Sequence, residues 1–306
     1  MPRLVTRRSF IRTTTVAVGT APFISRAATT AGFEIGLVAD AQYADIEPRG
    51  TRFYREGVKR LGDAVEHFNR RELAFCAHLG DLIDRDWRSF DAMLPPLAGS
   101  RQRWHQLLGN HDFDVADELI PKVPARLGMT SRYGSFDHGR FRFVILDTND
   151  VSTYAHPAGT AGRAAAAQEL ERLKALGVPQ AQPWNGGVGA AQLAWLDHTC
   201  ASAQADRLRV IVLAHHPVAP VDNHRVWNTD ELLAVIDRHP NVVAWFNGHN
   251  HAGAYELRHG VAFVTLRGMV ETADTTAYAT VQLLPDRMVI TGHGREPSRE
   301  VVFRSA

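Results

Sequence analysis

The sequence predicts an α/β (α+β) fold, a four-layer αββα sandwich of two mixed sheets flanked by helices. Three observations lead there. Short apolar runs repeatedly end on Asp, Asn or His, often just after Gly, which is how parallel strands deliver ligand-binding residues to a crevice at their carboxyl ends. Segments with helical spacing lie between those runs. Two further segments alternate like antiparallel hairpins, so neither sheet is purely parallel.

In chain order, Phe33 to Ala39 reads as a mostly buried strand running into Asp40. Residues 51–71 then set Val58, Leu61, Val65 and Phe68 on one helical stripe. The run 73–79 reaches Gly80-Asp81, and 104–108 reaches Gly109-Asn110. Val210 to Ala214 ends at His215, and Val242 to Asn247 ends at Gly248-His249. A glycine there lets the backbone come close to a bound ion. Helices are expected over 162–176, 189–203 and 229–238. Hairpins are expected over Tyr133 to Asp147, turning at Asp137-His138-Gly139, and over Ala277 to Thr291, turning at Pro285-Asp286. The loop Asp150 to Ala161, rich in Gly, Thr, His and Pro, is expected at the rim of the site.

The composition, 45% hydrophobic and 22% charged over 306 residues, excludes a disordered, collagenous or polytopic membrane protein. Such a length buries a sizeable core without disulfide or metal staples. A net charge of +1 offers nucleic acid or an anionic membrane no long-range attraction. Fifteen histidines are unusual, because this side chain titrates near neutrality and binds transition metals. The two cysteines form no disulfide framework, and Cys76, inside the run 73–79, reads as core.

The first 27 residues hold Arg3, Arg7, Arg8, Arg12 and Arg26, no acid, and an apolar stretch from Thr13 to Ser25. That is the layout of a secretory signal. Thr6-Arg7-Arg8-Ser9-Phe10-Ile11-Arg12 resembles a twin-arginine export signal, read by an export machinery rather than by the bilayer. The expected organisation is a signal over 1–27, cut before Ala28, and a single domain over 28–306, exported to the periplasm or beyond. The 13 apolar residues fall short of the roughly 20 that span a bilayer, so no permanent membrane anchor is expected. Without its five arginines the chain keeps 29 basic against 33 acidic groups, so the exported body is acidic.

Five pieces stand at strand ends: Asp40-Ala-Gln42, Gly80-Asp81-Leu-Ile-Asp84, Gly109-Asn110-His111-Asp112, His215-His216-Pro217 and Gly248-His249-Asn-His251. Each alone is a weak signal; the ordered set is specific. It resembles the calcineurin-like metallophosphoesterases, whose signature runs D-x-[HQ], G-D-x-x-D, G-N-H-[DE], H-x-P, G-H-x-H. Within them the chain is most similar to the manganese-dependent ADP-ribose/CDP-alcohol diphosphatase branch. That likeness lies in Gly36 to Asp45, where Gln42 replaces the usual His, Gly50 to Arg55, and Trp184-Asn-Gly-Gly187 with Gln192 to Leu196. It continues through Gly268-Met-Val-Glu-Thr272 and Leu284 to Pro297, so it covers nearly the whole chain after the leader.

The resemblance implies two divalent metal ions. One would be held by Asp40, Gln42, Asp81 and His251, the other by Asp81, Asn110, His215 and His249, with Asp81 shared. Asp40 and Gln42, two apart, can point to one face in extended backbone. Three oxygen donors and one imidazole at the first site favour Mn²⁺ or Mg²⁺ over Zn²⁺; Mn²⁺ is preferred, with Mg²⁺, Fe or Zn admissible at the second. Two ions about 3.5 to 4 Å apart can acidify a bridging water and stabilise an in-line displacement at phosphorus. The resemblance makes His111 a catalytic residue over the phosphate rather than a ligand. Asp84 orients His111 or a ligand, or else is a carboxylate at a helix N-terminus. Only the first His of His-x-Pro matches a ligand position, so His215 is the ligand and His216 packs or lines the cleft.

For substrate contacts, Arg52 and Arg55 could neutralise phosphate while Phe53 offers a ring face; alternatively the arginines cap a solvated helix face and the aromatics are core. Asn185 and Gly186 are preferred over Trp184 as contacts in the Trp184 to Gly187 turn. Val218 to Trp227 is shorter than in animal members and lacks a cysteine some of them carry near the nucleobase, which leaves base and alcohol preference open. The expected function is hydrolysis of phosphoanhydride bonds in nucleoside diphosphate derivatives such as ADP-ribose and CDP-alcohols. A broad phosphodiesterase or phosphomonoesterase on the same metals is the alternative, and a non-catalytic metal-binding protein a remote one.

Overall fold

The structure, a computed structural model, describes residues 32–304. The basic leader and its expected cut before Ala28 lie outside the described residues. β1 (Phe33–Val38) alternates between two apolar environments, as a strand buried on both faces must. Ile35 and Leu37 enter the core between the sheets; Val38 packs outward with Leu61 and Phe68 of α1 (Gly57–Asn69). Then follow β2 (Leu73–His78), α2 (Ser89–Ala98), β3 (Trp104–Gln106) and the short α3 (Val123–Arg126). β4 (Gly134–His138) and β5 (Phe141–Ile145) form the first expected hairpin. α4 (Ala161–Ala175), α5 (Ala190–Ala205), β6 (Arg209–Leu213), α6 (Thr229–Arg238) and β7 (Val242–Asn247) come next. The chain finishes with β8 (Ala254–Arg258), β9 (Val261–Thr265), β10 (Ala277–Leu283), β11 (Arg287–Gly294) and β12 (Arg299–Val302).

These strands make two six-stranded mixed sheets, ordered β12-β11-β10-β1-β2-β3 and β4-β5-β6-β7-β9-β8. Their inner faces share one core, in which Leu37, Phe75 and Val281 meet Phe143, Leu213 and Phe246. α1 and α2 cover the outer face of the first sheet, and α5 and α6 that of the second. The result is the expected αββα sandwich. β1 and β2 run parallel, as do β6 and β7, so their carboxyl ends bring Asp40, Asp81, His215 and His249 to one edge. No described helix is long and apolar enough to cross a membrane.

Three elements differ from the sequence reading. The helix expected from residue 51 starts only at Gly57, after a single 3₁₀ turn at Tyr54–Glu56. Arg52 is instead bridged to Glu271, which ties this stretch to the site. The β8-β9 hairpin was not expected; it turns at His259-Gly260, both with positive φ (49° and 76°), because its alternation is short and β9 is apolar throughout. The Asp150 to Ala161 loop does not wall the cleft. Its Val151 pairs with Gly187 and braces the turn that carries Trp184 and Asn185.

Candidate metal centre

The strand ends leave the extended conformation where the candidate ligands sit. Asp40, Gln42, Asp81 and His249 have φ of 54°, 42°, 57° and 68°. The expectation that Asp40 and Gln42 share a face of extended backbone is therefore corrected: they converge through left-handed turns. Such residues cost of order 1–2 kcal/mol each and persist where the surroundings over-determine them, typically at functional sites. The neighbouring glycines are needed for space. A Cβ on Gly109 would collide with Asp81 Oδ1, and one on Gly248 with Asp40 Oδ2.

Ligand atoms of Asp40, Asp81 and His251 lie within 4.8 Å of one another. Gln42 Nε2 donates to Asp81 Oδ2 at 2.9 Å, and Gln42 Oε1 stays buried without a partner. An orphaned amide oxygen beside two carboxylates fits a hard cation and is otherwise unfavourable. On the other side of Asp81, His215 Nε2 lies 3.4 Å from Asp81 Oδ2 and 3.2 Å from Asn110 Oδ1. The rings of His215 and His249 are 5.0 Å apart.

Hydrogen bonds fix the tautomer of each candidate imidazole, as they do for metal ligands generally. His215 Nδ1 donates to the Leu79 carbonyl at 2.9 Å, which leaves Nε2, facing Asp81, as the nitrogen that can ligate once deprotonated. His251 Nδ1 donates to Glu271 at 2.8 Å and leaves Nε2 towards Asp40, 3.6 Å away. His249 Nε2 pairs with Asn185 Oδ1 at 2.8 Å, and the Asn185 amide nitrogen is itself committed to the carbonyls of Gln180 and Asn223. His249 Nδ1 is thus the free nitrogen. His216 lies within reach of this group, yet Thr148 Oγ1 at 2.7 Å and the Trp184 carbonyl at 3.4 Å occupy both its nitrogens. It braces the site rather than ligating.

The local charges agree. Burial opposes protonation of His215, but Asp81 and Asp40 outweigh it and raise its pKa to about 9. Burial likewise opposes, and Asp40 and Glu271 override, to raise His251. His249, buried and faced by His216 and His215, is pushed well down. Asp81 is held below the ordinary carboxylate range by His215 and His111 despite its burial. Beneath the site Asp112, pushed up to about 7 by burial and by Asp81, accepts from the backbone N–H of Asp81, Leu82, Ile83 and Gly109. It knits the Gly80 and Gly109 loops together.

His111 lines the open cleft of about 390 Å³ above these groups, with Arg52, Trp184 and His224. Its Nδ1 is held by Asp114 Oδ2 at 2.9 Å and the Asp84 carbonyl at 3.2 Å, leaving Nε2 free. The Asp84 carboxylate is 3.6 Å from that ring and bonds Arg85 at 2.6 Å. Asp84 therefore adds charge near His111, while Asp114 does the orienting; nor does Asp84 open a helix.

Of the five expected substrate contacts only Arg52 lines the cleft. Arg55 is tied to Asp45 and Glu47 at 2.6 and 2.5 Å, and Phe53 joins the cleft wall at no point. Asn185 is fully buried behind His249. Gly186 is packed so that a Cβ would strike the Thr148 carbonyl. The preference within this turn reverses: Trp184, 41% exposed, faces the cleft. Sequence reasoning also missed Glu271, Asp114 and His224. Glu271 stands in the 268–272 segment already singled out by resemblance; nothing in the sequence marked the other two.

Two adjacent donor clusters, with Asp81 of one 3.4 Å from His215 of the other, at the strand ends of an αββα sandwich define a metallophosphoesterase-type hydrolase. The calcineurin-like phosphoesterase family matches residues 34–253. The chain belongs to that family and is a metal-dependent hydrolase of phosphate esters or anhydrides. It is 30% identical to the manganese-dependent ADP-ribose/CDP-alcohol diphosphatase of Bos taurus, over 89% of this chain and 94% of that protein. With the Arabidopsis thaliana protein of the same name it shares 29%, over 88% and 96%. A crystal structure of a dimetal phosphatase from Danio rerio superposes with a TM-score of 0.81 at 28% identity, covering 90% of this chain and all of that one.

Proposed function

We propose that this protein uses two divalent ions, Mn²⁺ preferred, to hydrolyse the pyrophosphate bond of nucleoside diphosphate derivatives such as ADP-ribose or CDP-alcohols. Water adds at one phosphorus and the P–O–P bond breaks, giving a nucleoside monophosphate and a phosphorylated partner. The observation that carries the reading is the convergence of donors on Asp81, with the ring protons of His215, His249 and His251 all tied back. Asp40, Gln42, Asp81 and His251 would hold one ion; Asp81, Asn110, His215 and His249 the other. When bound, the ions supply Lewis acidity and an activated water. The names of the relatives support the substrate class.

The chain's own residues do the rest. Arg52 brings a guanidinium to the cleft for the phosphate not under attack. Trp184 offers an exposed indole against which a base or ribose can lie. Before metal binds, burial opposes protonation of His111 but Asp81, Asp114 and Asp84 raise its pKa to about 9; Asp114 also holds Nδ1, which leaves Nε2 to donate a proton to the departing phosphate oxygen. Purified protein with Mn²⁺, Mg²⁺ or chelator is to be assayed on ADP-ribose, CDP-choline, a bis-ester and a monoester. Mn²⁺-dependent cleavage of the first two is expected; turnover of the monoester alone would reject the reading. Export through the twin-arginine route is part of the proposal, and replacing Arg7 and Arg8 with Lys should leave the protein in the cytoplasm.

A further inference from the structure

The pole opposite the metal centre carries a second cavity of about 430 Å³, as large as the catalytic cleft. It lies where β5, β6 and β7 begin rather than where they end. Arg140 enters it from the β4-β5 turn, Phe141 from the start of β5, Arg207 from the turn after α5, Arg209 from the start of β6, and Asn241 from the residue before β7. No carboxylate of the described residues lines it.

Three arginines thus line one cavity, with no acid among its described lining residues. Arg140 and Arg207 make no side-chain hydrogen bond or ion pair among the described residues. Arg209 Nη1 reaches only the Arg304 carbonyl, at 3.2 Å, with its plane over the Phe303 ring. The acid that most stabilises Arg209, Asp286, is bonded to Arg287 at 3.1 Å. Burial first and Arg140 second lower the Arg209 pKa, the mark of positive charge left uncompensated.

Asn241, in the same lining, is 5% exposed, and its amide nitrogen donates to the carbonyls of Cys200 and Leu208 at 3.0 and 3.3 Å. Those bonds hold the start of β7 against the turn after α5, so the cavity wall is fixed.

We propose that this cavity is a binding site for an organic phosphomonoester, of the sugar-phosphate or nucleoside-monophosphate kind. Its dianionic phosphate is held by the Arg140 and Arg207 forks near Arg209, and the rest of the molecule lies against Phe141. The volume exceeds what an inorganic ion needs. The inference does not depend on which substrate the metal centre takes.

Hydrogen–deuterium exchange of the full chain tests it locally. Ribose 5-phosphate, AMP and inorganic phosphate are titrated separately while peptides covering 138–142 and 204–210 are followed, with 108–112 reporting the metal centre. At least one of the two phosphomonoesters should protect the first two segments saturably, inorganic phosphate about tenfold more weakly. Arg140→Gln with Arg207→Gln, both exposed, should raise that midpoint about tenfold or more and leave turnover and the 108–112 response unchanged. Absence of protection at this pole, an unchanged midpoint in the double variant, or equal binding of inorganic phosphate would each overturn the assignment.

Discussion

Glu271 Oε1 accepts the His251 Nδ1–H at 2.8 Å while Arg52 Nε approaches the same oxygen at 3.5 Å. The substrate-side arginine and the metal-side imidazole therefore lean on one carboxylate. Burial raises the Glu271 pKa, but His251, Thr51 and Arg52 prevail and hold it at about 2. It stays ionised across the working range, and its contribution to the fold is present above its ordinary value and lost only as pH falls through about 2. Glu271→Gln keeps the acceptor and removes the charge. Metal affinity at the Asp40 side should fall about 10-fold to 100-fold, read as Mn²⁺ dissociation constants by calorimetry, and the metal-free protein should lose some Tm with the charge.

Metal uptake should release protons. A raised imidazole pKa stabilises the metal-free fold fully below its ordinary value and loses that contribution as pH rises through the folded value, about 9 for His215. Bound metal needs the same nitrogen deprotonated. Affinity should thus climb with pH up to about 9, and Mn²⁺ titrations near neutrality in buffers of different ionisation heat should give different apparent enthalpies. Identical enthalpies would mean that His215 and His251 are neutral before metal arrives.

His111→Ala should lower kcat by about 10²–10⁴ with bound metal unchanged; loss of metal would make it a ligand instead. Asp114→Asn is the finer probe, because Asp114 helps raise His111. As an acid, His111 stops working when pH rises through its pKa in the metal-loaded enzyme. The variant should move that falling limb of the pH–rate profile to lower pH, an effect that simple loss of structure does not produce.

Asp112→Asn should act on the fold. An amide presents N–H₂ to at least one of the four backbone N–H groups that Asp112 now serves, a mismatch that costs about 1–3 kcal/mol. Thermal unfolding should fall by several degrees, and metal should be lost in parallel because Gly80 and Gly109 then part.

The candidate metal ligands were legible because each sits at the end of an apolar run, and strand ends are fixed by local pattern. Asp40 and Gln42 do come to the same site, but not by shared extended backbone, since spacing alone does not reveal the left-handed turns at φ 54° and 42°. What escaped was whatever depends on long-range packing. Asn185 was expected to contact substrate, yet Val151 pairing with Gly187 folds it inward onto His249 and leaves Trp184 outside. Glu271 and Asp114 are ordinary acids until the fold sets them behind His251 and His111. His224 reaches the cleft from a segment without periodicity.

The most direct test of the two-ion account is anomalous scattering at the manganese edge from crystals soaked in Mn²⁺. Two peaks are predicted on either side of Asp81, one among Asp40, Gln42 and His251, the other among Asn110, His215 and His249. A single peak, or peaks that leave Asp81 unshared, would contradict it.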